Sequence, residues 1–377
     1  MKLKMLFVFI ICSKVCFAQP ELIGVAEISG TASDLSGQSN KLENGEPHDR
    51  LGGFSALEYT GVGNRYVALP DRGPDDGATG YVCRYQTLDI LIGDKITTNI
   101  LKTTLLKDSM GSPFTGSSTV YSHRLDPEGF RFTSDGSFFL SDEYGPLLIH
   151  FSKDGKEITR IPLPKHLLIT NPGPSKKAEN FHNKVGRSGN KGMEGLAISP
   201  DGKVLTGIMQ HVLLQDGERK GGEKPKGINC RIIQIDLEGK QSEYVYQLDD
   251  VGNGLNEIVA VNDTEFLVIE RDGEIGSDAK FKKIMKIDTS NATNVIDIDS
   301  LPVYNLPDSI QPVEKEEFID FLNPAFNLSP RQIPEKLEGL TWGPMLPDGR
   351  RSLLISSDND FEADIPSLIY VFGVDND

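Results

Sequence analysis

Residues 126–145 read DPEGFRFTSDGSFFLSDEYG. Phe130, Phe132, Phe138 and Leu140 supply alternating apolar positions on either side of Ser134-Asp135-Gly136, a tight-turn tripeptide. The stretch therefore predicts two short antiparallel strands joined by a hairpin turn. Glu128 stands where the first strand begins, and Asp142 and Glu143 where the second ends. In an antiparallel hairpin those two ends lie side by side, so the unit carries carboxylates on the edge opposite its turn.

The same design recurs four times, at residues 52–77, 192–211, 254–273 and 336–360. Each unit has an apolar strand, a turn rich in Gly, Asp, Asn or Pro, and a second apolar strand running into polar residues. Each of the first four units is followed by a further pair of strands: 81–92 with 96–106, 147–151 with 157–161, 230–237 with 243–248, and 284–287 with 295–298. After the fifth comes only one, at 368–374, while a spare apolar strand stands near the start at 22–28. Long repeats of about four strands each are the mark of a β-propeller, because one blade cannot bury both of its faces and neighbours packed around an axis can. The expectation is an all-β chain of five four-stranded blades, its ring closed by the N-terminal strand pairing with the last blade, which also removes an open sheet edge. A sixth blade hidden in 107–125 or 301–334 is the alternative. Three long polar connectors, 162–191, 215–229 and 301–334, either cover a site or form solvated insertions.

The chain opens with Lys2 and Lys4, an apolar run over residues 6–12, and Cys16-Phe17-Ala18 before Gln19. That pattern predicts a signal peptide over residues 1–18, with an uncleaved anchor as the alternative, followed by one propeller domain over 19–377. The expected location is outside the cytoplasm, periplasmic or extracellular. No later stretch is apolar enough to cross a bilayer. Loss of Lys2, Lys4 and Lys14 and of no acid takes the formal charge from −16 to −19. Such a chain repels nucleic acid and anionic lipid and suits divalent cations or simply solubility outside the cell. No nucleic-acid partner is expected, and the protein is expected to be a monomer. Cys83 and Cys230 fall at equivalent positions in non-adjacent blades, too far apart for a disulfide, so two free thiols are expected. Nucleophile-elbow, P-loop and His-Glu-x-x-His motifs are missing, and the six histidines lack transition-metal spacing.

Aligning the first strands (GFSAL, PEGFR, MEGLA, NEIVA, LEGLT) sets Ser55, Glu128, Glu194, Glu257 and Glu338 at one recurring position. The innermost strand of a propeller lines its channel, so four of these form a ring of carboxylates. Such a ring repels itself unless a cation sits within it, and an oxygen-rich site of this kind suits Ca²⁺. Asn256 could add an amide oxygen, and Asp71 could fill the gap at Ser55. Alternatively, each Glu-Gly pair caps backbone N–H groups of the next blade. The second strands exit at the same end through Asp71-Arg72, Asp142-Glu143, Gln210-His211, Glu270-Arg271-Asp272 and Asp358-Asn359-Asp360. The candidate metal ligands are Glu128, Glu194, Glu257, Glu338, Asp71, Asp142 and Asp358. Arg72 and Arg271 are the candidates to grip an anion, and Glu143, Glu270 and His211 to move a proton.

The runs GGFSAL…ALPDRGPDDG, DPEGF…SDEYG, GMEGLA, NEI…IERD and LEGLTW resemble the phytase-like family, also called "esterase-like activity of phytase", over residues 50–372. The resemblance implies a β-propeller and an exported, mostly bacterial protein. The family's recurring acids match Glu128, Asp142, Glu143, Glu194, Glu257, Glu270, Glu338 and Asp358. Its name suggests hydrolysis of phosphoesters or other esters. Ser55 and Gln210-His211 depart from its acidic pattern, against a fully symmetric metal ring. Two functions are expected from these residues. One is a Ca²⁺-assisted hydrolase of a small anionic ester. The other is a non-catalytic propeller that binds an unknown ligand and holds a structural metal in its channel.

Overall fold

Short runs of alternating apolar residues, broken by turns that carry Gly and Asp, fold into five four-stranded antiparallel sheets. The structure is a computed structural model that describes residues 20–173 and 175–375. The expected signal peptide lies outside the described residues. Strand β1 is Glu21–Ile28. Blade one is β2 (Phe54–Tyr59), β3 (Arg65–Pro70), β4 (Arg84–Leu91) and β5 (Thr97–Leu105). Blade two is β6 (Pro127–Phe132), β7 (Phe138–Asp142), β8 (Leu147–Phe151) and β9 (Glu157–Ile161). A short helix, α1 (Lys176–His182), precedes blade three, which is β10 (Met193–Ile198), β11 (Val204–Met209), β12 (Asn229–Asp236) and β13 (Gln241–Gln247). Blade four is β14 (Gly254–Ala260), β15 (Glu265–Arg271), β16 (Lys282–Asp288) and β17 (Glu314–Asp320). Blade five is β18 (Lys336–Met345), β19 (Arg351–Asp358) and β20 (Ser367–Val374), completed by β1.

The innermost strands follow one another around the ring in the order β2, β6, β10, β14, β18 and back to β2. Strand β1 pairs antiparallel with β20 from Glu21↔Gly373 to Ile28↔Ser367, so the two ends of the described chain close the ring as expected. Five blades are present, not six: residues 107–125 hold no strand, and 301–334 supply only β17. One strand expectation fails. Residues 295–298 do not form the outer strand of blade four; Val295 instead packs with Val245, Leu301 and Ile310 beside blade three. The true outer strand, EKEEFID, is mostly charged because it faces solvent, so it lacks the apolar alternation that marks the others.

Side chains on a strand point alternately to its two faces, and here the two faces meet two different neighbours. Phe138 and Leu140 pack against blade one residues Val67, Leu69 and Tyr85. Phe139, between them, packs against blade three residues Leu196 and Leu205. Equivalent apolar layers join blades three and four, four and five, and five and one. Cys83 and Cys230 are buried free thiols in two of these layers, as expected.

A buried charge ties the hub. Arg131 of β6 donates to the carbonyls of Ile258 and Leu340 at 2.9 and 3.2 Å, and its guanidinium faces Glu257 and Glu58 at 3.2 and 3.3 Å. One side chain thus joins blade two to blades one, four and five, which only a position near the axis allows.

Candidate functional site

Every innermost hairpin carries an irregularity at its open end. Pairing resumes out of register after Phe54, Pro127, Met193, Leu255 and Leu337. The residue that follows each of these is structurally equivalent: Ser55, Glu128, Glu194, Asn256 and Glu338. Glu257 is therefore not the blade-four member of the ring; Asn256 is. The repeated Glu-Gly pair has a steric origin. A Cβ at Gly195 would lie 2.7 Å from Glu257 Cα, and one at Gly339 would lie 2.5 Å from Leu57 N. In these blades the neighbouring innermost strand comes too close for a side chain.

Glu257 occupies that glycine slot in blade four and turns away from the ring. Its Oε1 accepts from Leu196 N and from its own neighbour Ile258 N, at 2.9 and 3.0 Å, and its Oε2 faces Arg131. Burial pushes its pKa up to about 8 against the pull of Arg131. Backbone capping thus occurs at a glutamate without a following glycine, and toward the preceding blade rather than the next.

The open ends of the hairpins surround a cavity of about 460 Å³. Asp71, Glu128, Glu143, Glu194, Glu338 and Asp358 line it, with Arg72, Arg271, Lys176, Lys191 and Lys336. Behind the wall residues Glu128 and Glu143 lies Asp126, and the three each bring an oxygen within 4.8 Å of the others, all buried. Arg72 pairs with Asp126, lies 3.5 Å from Glu143 and donates to Asp76 at 2.8 Å. Fully ionised, the three carboxylates against one guanidinium would carry an excess of about two negative charges in a buried place, a state that a divalent cation favours.

Two carboxylate oxygens of the cavity wall accept no hydrogen bond. Glu143 Oε2 and Glu194 Oε2 are buried without a hydrogen-bond partner among the described residues. The donor set is oxygen only and irregular, and Ca²⁺ takes about six to eight such ligands in flexible geometry. The residues present therefore fit a calcium ion. The energetic need is visible in the titration of the group. Burial, then repulsion from Glu194, Asp126 and Glu143, raises the Glu128 pKa well above the carboxylate range. Burial, then Glu143 and Glu338, does the same to Glu194. Burial and Asp126 raise Glu143, opposed by Arg72 and Lys191.

The other sequence candidates divide into two groups. Asp71, Glu194, Glu338, Asp358, Arg72 and Arg271 do reach the cavity. Asp71 accepts from Gly73 N at 2.8 Å, and burial followed by Asp358 raises its pKa. Asp358 is held by Lys336 at 3.1 Å. Glu338 receives Arg271 and the Asn256 amide, the latter at 2.7 Å. The Arg271 fork is held on three sides, because its Nε and Nη1 also donate to the carbonyls of Leu337 and Asp272.

Asp142, Glu270 and His211 are absent from the cavity wall and serve the scaffold. Asp142 caps Asp126 N and Gly145 N, both at 2.8 Å, and burial pushes its pKa up to about 6. Glu270 accepts from Asp249 N, Asn253 Nδ2, Tyr246 Oη and Lys315 Nζ at 2.7 to 3.2 Å. His211 is fully buried and donates from Nε2 to Val251 O at 3.3 Å. Its burial, aided by Lys224 and Lys191, lowers its pKa to about 3. The next residue back, Gln210, is the one that faces in, donating to Glu194.

Sequence reasoning missed Asp126, Lys336, Asn190, Lys191 and Lys176. Asp126 and Lys336 precede the ring position by two residues, where the other blades have Gly53, Gly192 and Gly254, so nothing recurs to flag them. The remaining three come from the 162–191 connector, which folds over the mouth; its density of basic residues was the available signal.

Comparison with known proteins agrees with the repeats. The family model "Phytase-like: Esterase-like activity of phytase" matches residues 49–361. A protein of Arthroderma benhamiae named "Uncharacterized secreted protein" is 24% identical over 411 residues, covering 82% of this chain and 77% of the relative. Among solved structures, a calcium-binding protein, regucalcin, from Agrobacterium tumefaciens is 12% identical, with a TM-score of 0.39 and 96% of each chain covered. A glycosyl hydrolase from Bacteroides ovatus is 10% identical, with a TM-score of 0.44, covering 94% of this chain and 93% of that one. Neither structural likeness is close enough to speak to chemistry.

Proposed function

The chain belongs to the Phytase-like family, and from that premise we propose that it is an exported, calcium-assisted hydrolase of small anionic esters, phosphate or carboxylic. The observation that carries this reading is the buried trio Asp126, Glu128 and Glu143, of which the two glutamates line a cavity that has cations on its walls and a Glu143 oxygen that accepts no hydrogen bond. Calcium bound there would polarise an ester oxygen and lower the pKa of a water. Arg72 holds Asp126 and leans on Glu143, which fixes the trio and brings positive potential to the same wall. Arg271 and Lys336, locked onto Glu338 and Asp358, add potential but few free donors. Glu143, raised by burial, is placed to take and return a proton in the cavity. Export is supported by the name of the fungal relative, and among the described residues no helix is long and apolar enough to cross a membrane.

A second reading, a non-catalytic binding propeller with a structural cation, is favoured by one observation. His211 and Glu270, two of the three acid–base candidates, point away from the cavity. Metal content and calcium-dependent melting of the exported protein separate the outcomes, measured beside an EDTA-treated sample and a Glu128→Gln variant. A screen of phosphomonoesters and carboxylic esters completes the test. The hydrolase reading expects stoichiometric calcium, a melting temperature that falls on chelation, and turnover lost in Glu128→Gln. Calcium with no turnover on any ester supports the binding propeller. A protein that neither takes up calcium nor responds to EDTA overturns both.

A further inference from the structure

The 162–191 connector ends in a turn that is clamped from both sides. Asn190 adopts a left-handed backbone with φ +55°, and Lys191 N closes the turn onto Ser188 O at 3.1 Å. Asn is one of the few residues that take this conformation readily. On one flank Gly189 N donates to Asn180 Oδ1 at 2.6 Å, and a Cβ at Gly189 would lie 2.5 Å from the Lys176 carbonyl of α1. On the other, Gly192 N donates to Glu143 Oε1 at 3.3 Å, and a Cβ there would meet the Glu143 carbonyl at 2.0 Å. The turn is thus pinned between the helix of the insertion and the carboxylate trio. Asn190 and Lys191 both line the cavity.

Their side chains have no structural employment. Arg72, Arg271, Lys176 and Lys336 each have a carboxylate partner within 4 Å. Among the described residues Lys191 has no ion pair and no side-chain hydrogen bond, and the Asn190 amide has none either. A half-buried ammonium held on a rigid turn, facing a cavity and left without a partner, is arranged for a ligand rather than for the fold. Its charge is felt around it: Lys191 counters the rise of Glu143 and Glu194 and adds to the burial that lowers His211.

We propose that Lys191, assisted by the Asn190 amide, is the anchor for the oxyanion group of the ligand bound in the cavity. Lys191 supplies an ammonium donor with three N–H bonds, and Asn190 two amide N–H bonds, to a phosphate or carboxylate group. This deepens the reading given under Proposed function by assigning a cation that no carboxylate of the fold holds, unlike Arg271 and Lys336. It needs neither a bound metal nor turnover.

The test is calorimetric binding of inorganic phosphate, and separately of acetate, to the full exported protein with calcium and with EDTA. The variants are Lys191→Met, Lys191→Arg, Asn190→Gly and Lys203→Met. Asn190→Gly keeps the turn, because glycine accepts the positive φ. Lys203→Met alters the net charge equally at an exposed hairpin turn of blade three. The expected result is that Lys191→Met weakens phosphate about tenfold or more, the loss of one charge-assisted contact, and Asn190→Gly a few-fold. Lys191→Arg should keep most of the affinity, and Lys203→Met should stay within about twofold. Tighter phosphate than acetate marks a phosphate ligand, and the reverse a carboxylate. Equal phosphate and acetate affinity in wild type and Lys191→Met, or no anion binding in either buffer, overturns the proposal. If calcium fails to bind and no ester turns over while the Lys191-dependent affinity persists, the anchor stands and the hydrolase falls. If esters turn over but anion affinity does not depend on Lys191, the hydrolase stands and the anchor falls.

Discussion

The Asn256 amide donates to the Glu338 carboxylate at 2.7 Å and, from the same nitrogen, to Glu194 at 3.1 Å. One neutral side chain thus separates two buried acids across the mouth. Asn256→Asp would replace that donor with a third acceptor facing two others. In calcium-free protein it should cost on the order of 3 kcal/mol, from lost hydrogen bonds to charged groups plus like-charge repulsion. Asn256→Ala should cost less, because it removes the donor without adding a charge. Urea denaturation at pH 7 ranks the two, and an Asp variant as stable as the Ala variant would show that the three side chains do not meet.

At the deep end of the channel, Arg131 holds Glu257 and Glu58 in place. Arg131→Met leaves both carboxylates buried without their counter-charge, at a cost of about 3–5 kcal/mol. Glu257→Gln in the same chain should restore a large part of that loss, since the amide needs no counter-charge and can still accept from Leu196 N. Equilibrium unfolding of the wild type, both single variants and the double variant gives the coupling. Additive losses would place Arg131 outside the pair.

Asn256 also explains how far the sequence could be read. Five hairpins, the ring closure and the free thiols were legible because apolar alternation, turn residues and repeat spacing are local, repeated signals. The ring position was legible in four blades and slipped by one residue in the other. There the Asn-Glu dipeptide offers a glutamate beside the slot, and only the bulge after Leu255 decides which residue faces in. The direction of a side chain near a bulge is not in the pattern. Hence Asp142, Glu270 and His211 share the strand exits of Glu143 and Arg72 yet point into the scaffold. Lys191 and Asn190 were not singled out for another reason: an insertion has no repeat to be aligned with, and its basic composition marks the segment rather than the residue.

His211 carries the expected pH dependence. Its neutral imidazole is sealed in the fold, with a pKa of about 3 against an ordinary 6.5. Below pH 6.5 the unfolded chain takes up a proton that the folded chain refuses, so stability is fully present above 6.5 and falls as pH drops toward 3. This group alone contributes at most about 1.4 kcal/mol per pH unit over that range. His211→Gln removes the titrating group. Urea midpoints at pH 7, 6, 5 and 4 should therefore fall less steeply than those of the wild type on acidification, whatever the offset at pH 7. Curves that stay parallel would mean that His211 charges freely in the fold. Because the ring stands outside the cavity, the same variant should keep calcium binding unchanged.

Glu143 and Glu270 stand at second-strand exits one register step apart, since Glu270 pairs with Leu255 as Asp142 pairs with Pro127, and the same substitution should separate them. Glu143 has a buried oxygen that accepts no hydrogen bond, a raised pKa and two carboxylates within 4.8 Å. Its charge is a burden to the metal-free fold and an asset to a bound cation. Glu143→Gln should leave the EDTA-treated protein as stable as the wild type or more so, weaken calcium by about tenfold or more, and abolish any ester turnover. Glu270 has all four partners supplied by the chain and stands outside the cavity. Glu270→Gln breaks the contact with Lys315 and should cost about 1–3 kcal/mol with or without calcium, leaving calcium affinity as it was. Melting curves of the two variants with calcium and with EDTA distinguish these patterns directly. If both variants lose stability equally and neither changes calcium binding, the trio is scaffold like the rest, and the mouth holds its ligand with Lys191 and Asn190 alone.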